Sequence, residues 1–265
     1  MVIVGEKINT SLKGVTDFVR LRDETAIKKL AVDQSNLGAD YIDVNCGTIG
    51  DGEAEALCWL VKTVQQEVDK PCCIDSPDPE VLRAALKAHR GTAMINSITA
   101  EKKRYEDTID LVLEHQSKIV ALLIDDAHGI SPLADIRIEI GCDLIERLMK
   151  DGVAADDIYI DPLIQPISTG ADMGNVALKT IQTLRLRYPK IHFMCGLSNI
   201  SFGIPQRALL NRTYLAMCMY AGLDGAVLDP GNKEMMSMII AGESLLNKDK
   251  GCKRYLKAHR KGILV

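Results

Sequence analysis

Short apolar runs rich in β-branched residues alternate along the chain with longer segments whose apolar positions recur at helical spacing. The runs are Val2–Ile8, Tyr41–Val44, Pro71–Ile74, Thr92–Ile95, Lys118–Ile124, Ile158–Ile160, Ile191–Leu197 and Ala226–Leu228. Between them Glu53–Val68, Glu80–His89, Tyr105–His115 and Asn175–Tyr188 read as amphipathic helices. Strands spaced by helices imply parallel neighbours, because a parallel pair needs a long crossover between its members. Ser76-Pro77-Asp78-Pro79 ahead of Glu80 offers capping oxygens and a first-turn proline, while Gly38, Gly152 and Gly222 stand where helices should stop.

Each run leads into a carboxylate or a carboxamide: Asn9, Asn45, Asp75, Asn96, Asp125, Asp161, Asn199 and Asp229. These recur at intervals of 21 to 38 residues, close to the roughly 30 that one βαβ step takes. Eight such steps in 265 residues predict an α/β fold, a (β/α)8 TIM barrel, as a single domain over residues 1–265. An open doubly wound sheet could also hold eight strands, but no Gly-x-Gly-x-x-Gly follows the first run.

Composition narrows the class further. With 32 basic and 36 acidic side chains the net charge is −4, and only eleven residues are aromatic, so nothing attracts nucleic acid or stacks on its bases. The longest uncharged run, Ile191–Gln206, is 16 residues and contains His192, Ser198 and Asn199, which leaves no membrane span. Glu6 and Lys7 interrupt the amino terminus too early for a signal peptide. Eight cysteines occur without a C-x-x-C pair and read as reduced thiols in a soluble cytoplasmic protein. The adjacent Cys72 and Cys73 should face opposite sides of their strand.

Barrels of this kind carry their active sites at the carboxyl ends of the strands. There the chain sets its eight Asn and Asp residues, with Glu6 just below them. One Asn or Asp at a strand end is ordinary turn chemistry; eight of eight, with no Lys, Arg or His, is a site. Carboxylates accept and carboxamides both accept and donate, the mixture that a flat neutral heterocycle with an amidine-like edge requires, such as a pterin or a purine. A phosphorylated substrate would call for glycines at a helix amino end with a cation nearby. Lys7 is the only lysine near the rim, and strand alternation should turn it away from Glu6, which argues against a Schiff-base mechanism. Asp125, Asp126 and His128 have the donor types for a divalent metal but lack a partner at ligand spacing, so a loop-capping role is favoured. Met235–Met238 reads as core or interface packing. The basic stretch Asn247–Lys261 reads as a solvated end, with docking of an acidic partner as the sharper alternative.

Several of these motifs carry a family resemblance. Glu6-Lys7-Ile8-Asn9, Asp43-Val44-Asn45, Ile74-Asp75-Ser76, Ile95-Asn96-Ser97 and Asp161-Pro162-Leu163 resemble the pterin-binding barrel family. Cys195-Gly196-Leu197-Ser198-Asn199-Ile200-Ser201-Phe202-Gly203, followed by Arg207 and Asn211-Arg212, resembles the methyltetrahydrofolate:corrinoid protein methyltransferases of anaerobic one-carbon metabolism. The resemblance runs from Gly5 to about Asp229. Phe202 departs from it, standing where a small or polar residue is expected.

The resemblance implies transfer of a methyl group between nitrogen 5 of methyltetrahydrofolate and cobalamin carried by a separate corrinoid protein. It implies that Asp75, Asn96 and Asp161 hold the pterin, with Gly196, Ser198 and Arg207 at the same site. Asn199 would serve the region of nitrogen 5 as the catalytic group, and Glu6, Asn9, Asn45 and Asp229 would complete the rim. A homodimer is also implied, with the Met-rich eighth helix a candidate interface. Two rival readings are a dihydropteroate synthase-like enzyme and a non-catalytic pterin-binding subunit. The first is disfavoured by Asn199 and Asp229-Pro230, where that enzyme would place cations for its leaving group.

Overall fold

The computed structural model describes residues 1–265. Its strands are β1 (Val2–Asn9), β2 (Tyr41–Asn45), β3 (Cys72–Asp75), β4 (Met94–Thr99), β5 (Lys118–Leu122), β6 (Ile158–Asp161), β7 (His192–Phe193) and β8 (Gly225–Leu228). All pairings are parallel, in the order β7-β6-β5-β4-β3-β2-β1-β8. The ring closes where Asp224 N donates to Phe193 O at 3.2 Å and Val227 N to Cys195 O at 3.0 Å. The fold is the expected (β/α)8 barrel.

The helices are α1 (Val15–Arg20), α2 (Glu24–Asn36), α3 (Glu53–Glu67), α4 (Pro79–Ala88), α5 (Lys102–His115), α6 (Ala134–Lys150), α7 (Met173–Arg187), α8 (Arg207–Ala221), α9 (Lys233–Leu245) and α10 (Lys253–Arg260). Sequence dictates their ends. Asp78 Oδ1 accepts Glu80 N at 2.8 Å to open α4, and Gly222, at φ 122°, closes α8 where an L side chain would be strained. Burial follows the helical period: Leu57, Leu60, Val61 and Val64 of α3 are wholly buried, each side chain contributing about 1.5–3 kcal/mol.

Two apolar layers result. The larger lies between strands and helices; the smaller plugs the barrel with Val4, Cys73, Met94, Val120, Tyr159 and Met194. Cys72 joins the first and Cys73 the second, as alternation requires. That plug leaves the carboxyl-terminal mouth as the open end of the barrel.

Two sequence expectations need correction. Strand five stops at Leu122 and strand seven at Phe193, so Asp125 and Asn199 are loop residues rather than strand ends. Met235 and Met236 are buried on the inner face of α9, the core packing that the Met-rich run allowed. An exposed apolar helix face lies on α8, where Leu209 is 59%, Met217 45% and Tyr220 77% exposed, with Thr213 and Ala216 between them.

Candidate active site

Register fixes which side chains enter the mouth. Asp43 pairs with Cys73 and Asn45 with Asp75, and Cys73 belongs to the interior plug, so all four face inward. Asp75 pairs with Asn96, and Leu122 with Asp161, which adds Asn96 and Asp161 to the wall. Asn9, Asn45, Asp75 and Asp161 are each the last residue of a strand, whereas Asn96 lies within β4 and Asp229 follows β8.

The first strand breaks the expected alternation. Its register shifts between Gly5 and Ile8, a bulge that turns both Glu6 and Lys7 toward the mouth. Gln34 of α2 holds this shape: its Oε1 accepts Lys7 N at 2.9 Å, and it lies 2.5 Å from where a Cβ on Gly5 would stand. Only glycine admits so close an approach. Lys7 therefore reaches the rim, where its Nζ pairs with Asp229 Oδ2 at 2.7 Å, contrary to the expectation that it faces away.

Below the rim the mouth is acidic and poorly solvated. Burial, then the negative field of Asp229, raises the Glu6 carboxyl pKa against the pull of Lys7. Burial, then Asp75, drives Asp43 well above the ordinary carboxylate range, and its Oδ1 has no hydrogen-bond partner. Burial also raises Asp75, opposed by Asn45, whose Nδ2 donates to Asp75 Oδ2 at 2.9 Å, and by the charge of Arg104. Burial pushes Asp161 to about 6 despite the Leu163 amide, which donates to its Oδ1 at 2.7 Å, and the nearby Arg137. Acids whose pKa is pushed up by burial can meet a ligand N–H as carboxylate or a ligand nitrogen as carboxylic acid.

The cations around these acids hold backbone rather than sit free. Arg104 Nη2 donates to Ser76 O at 3.1 Å and Ser97 O at 2.9 Å, tying β3 to β4. Arg137, fully buried on α6, donates to Ser131 O at 2.6 Å and to Pro162 O and Leu163 O at 2.7 Å each, fixing the turn that carries Asp161. Ser76 Oγ donates to Glu53 Oε1 at 2.7 Å, locking the start of α3 to β3.

Beside Asp161, past β7, the wall is built from loop. After β7 the chain runs through Gly196 into a 3₁₀ turn, Leu197–Ser201, carrying Ser198 and Asn199. Both residues are exposed, and Asn199 extends no side-chain hydrogen bond to the rest of the protein. Arg207, at the start of α8, holds the turn: its Nη2 donates to Ser198 O at 2.8 Å and its Nε to Ser201 Oγ at 3.0 Å. Its guanidinium also lies 5.9 Å from the ring of Phe202, which is 65% exposed at the lip. Ser168 Oγ to Phe202 O (2.7 Å) and Ile167 N to Ile200 O (3.1 Å) join this loop to the one after β6.

Two predicted residues do other work. Asn9 Oδ1 accepts Ser11 N at 2.9 Å and Ser11 Oγ at 2.7 Å, capping its own turn. Asp125 Oδ1 accepts His128 N at 2.7 Å, so the Asp125–His128 pair closes a loop outside the mouth. Asp43, Arg137 and Lys7 escaped the ring of strand-end residues. Asp43 was signalled by its spacing of two from Asn45. Arg137 was signalled by standing on the face of α6 shared with Gly141, Leu144 and Leu148. The bulge that turns Lys7 inward leaves no local signal.

A barrel mouth that combines buried carboxylates and carboxamides suits a flat nitrogen heterocycle, and comparison with known proteins gives the family. Residues 5–229 match the model of the pterin binding enzyme family, and the chain belongs to that family. It is 36% identical over 264 residues, 99% of this chain and 97% of the other, to the methylcorrinoid:tetrahydrofolate methyltransferase of Eubacterium limosum. It is 32% identical over 246 residues to the methionine synthase of Mycobacterium tuberculosis, spanning 86% of this chain but only 20% of that protein. In fold it matches the dihydropteroate synthase of Clostridium difficile solved in the presence of pteroic acid, with TM-score 0.69, 18% identity and coverage of 92% and 96%. The Xanthomonas albilineans dihydropteroate synthase in complex with 7,8-dihydropteroate gives TM-score 0.66 at 17% identity, covering 92% and 93%.

Proposed function

We propose that the barrel transfers a methyl group between nitrogen 5 of methyltetrahydrofolate and the cobalt of a corrinoid carried by a separate protein. The observation that carries this reading is the division of the mouth. Buried acceptors Asp75 and Asp161 stand at the ends of β3 and β6, and a carboxamide free of internal bonds, Asn199, stands on the loop after β7. Likeness over the full length to a methylcorrinoid:tetrahydrofolate methyltransferase supports it.

Asp75, Asn96 and Asp161 hold the donor-rich edge of the pterin, with Asn45 orienting Asp75. Asp161, ionised above about pH 6, gives a charge-assisted bond to a ring N–H or amine. Asn199 meets the nitrogen 5 region. As the methyl–nitrogen bond breaks and a methyl–cobalt bond forms, nitrogen 5 retains the electron pair and takes up a proton. An amide dipole already in place stabilises that change without reorganising. The cobalt is a substrate brought by the partner, so this chain contributes orientation and electrostatics. Gly196 and Ser198 shape the turn and Arg207 is a positioning residue for it. Glu6, Asn9 and Asp229 support the rim. The same groups serve both directions; the Eubacterium relative is named for transfer from methylcorrinoid to tetrahydrofolate.

A synthase that expels pyrophosphate would need free cations at the rim. Lys7 is paired with Asp229, Arg104 is held on carbonyls, and Arg137 is wholly buried with its Nε and Nη1 on carbonyls. We further read the chain as one domain, as a homodimer through the apolar face of α8, and as cytoplasmic, in keeping with eight unpaired thiols. No helix is long and apolar enough to cross a membrane.

The test is anaerobic incubation with methyltetrahydrofolate and cob(I)alamin, repeated with candidate corrinoid proteins. Conversion to methylcobalamin is expected. Saturable pterin binding with no transfer to any corrinoid would leave a binding subunit and overturn the enzyme assignment.

A further inference from the structure

On the flank of the barrel, α9, α10 and the end of α2 enclose a groove of about 380 Å³. Its floor includes Met236 and Ile263, and its walls carry Lys233, Arg254, Lys257 and Lys261; none of its lining residues is acidic. Lys233, Lys257 and Lys261 are exposed and form no ion pair. Arg254 does have a partner, Glu243, but the amino-terminal ammonium of Met1 shares that carboxylate. Lys257 and Lys261 stand one turn apart, a like-charge spacing that costs stability unless an anion neutralises it. In a chain of net charge −4 such a concentration of cations is local.

We propose that this groove binds the end of the folate substrate's tail, the γ-linked glutamates added beyond the first. The inference rests on the pterin reading above. If the pterin edge is held by Asp75, Asn96 and Asp161, nitrogen 5 faces Asn199 after β7. The carbon that bears the tail is the ring atom next to nitrogen 5, so the tail leaves on the side of β7, β8 and β1. In the closed ring β8 lies between those two strands. Asp229 follows β8, and the next residue, Pro230, already lines the groove. The apolar floor suits the methylene stems of the glutamates, and the lysines suit one carboxylate per added residue. The amino end of α9 adds its partial positive charge.

The experiment compares methyltetrahydrofolate monoglutamate with its triglutamate by anaerobic calorimetric titration of the full chain. Each exposed ion pair strengthens binding by up to a few-fold, so the triglutamate should bind about tenfold tighter, and raised salt should remove the gain. The double variant Lys257→Glu/Lys261→Glu should abolish the gain while leaving monoglutamate affinity and turnover as they were. Equal affinity of the two substrates for the unaltered protein, or a gain that survives in the double variant, would overturn the proposal. A double variant that instead loses only transfer to the corrinoid protein would make the groove a partner-docking surface and overturn it too. Absence of monoglutamate binding would strike the pterin reading itself and is distinguishable from all of these.

Discussion

The two walls of the mouth are made in opposite ways. On the β2–β4 side the carboxylates and carboxamides are strand residues and the wall is braced: Asn45 on Asp75, Ser76 on Glu53, Arg104 on the carbonyls of Ser76 and Ser97. On the β7 side the strand lasts two residues and the functional carboxamide rides a 3₁₀ turn with its side chain unengaged. Rigid, desolvated acceptors suit recognition of a flat ring. A carboxamide with no internal bond on a braced loop suits a bond change, since its dipole is already in place and wholly available to the atom whose charge develops. On the function proposed above, binding and chemistry are divided between strand and loop.

The largest expected effect breaks the loop wall alone. Asn199→Ala should reduce methyl transfer by about 10²–10³-fold with methyltetrahydrofolate affinity and thermal stability little changed, because the side chain bonds nothing within the protein. Single-turnover kinetics alongside titration would show this, and unchanged turnover would refute the role. Next, Asp161→Asn sharpens the strand wall. Burial raises Asp161 to about 6, above its unfolded value, so its favourable contribution to stability is present at low pH and is lost as pH rises through 6. The neutral amide, which keeps the acceptor for Leu163 N, should stabilise the free protein at pH 8 by about 1–2 kcal/mol, discounted for the open mouth. Denaturant unfolding at pH 4 and pH 8 checks it: about half of the gain should remain at pH 5, and only a small part at pH 4, near the unfolded value. In the unaltered protein, pterin affinity should fall as pH drops below 6, because the carboxylate is the acceptor.

Smaller effects follow. Arg207→Met should lower turnover about tenfold, with KM nearly constant, since the turn loses its brace but keeps its ties to Ile167 and Ser168. A matching loss in KM would make Arg207 a substrate contact. Lys7→Met should cost at most about 1 kcal/mol in unfolding free energy, because the ion pair with Asp229 is largely open to water.

The barrel was legible because eight apolar runs at βαβ spacing admit few alternatives, and Asp75, Asn96 and Asp161 were legible because alternation carries each inward. Where local geometry departs from regular strand, the pattern misled. The bulge at Gly5–Ile8 brings in Lys7, and it depends on Gln34, distant in sequence. The early end of β7 at Phe193 moves Asn199 onto the 3₁₀ turn Leu197–Ser201. Asp125 fell outside because β5 yields to a loop that its own carboxylate closes.

Anaerobic calorimetric titration with methyltetrahydrofolate at pH 7.5, on the unaltered protein and on Asp161→Asn, tests the central claim that the strand wall binds the pterin through buried carboxylates. One-to-one binding by the first and its loss or severe weakening in the second is the expected result. No heat from the folded unaltered protein, or equal affinity in the two, would contradict the account.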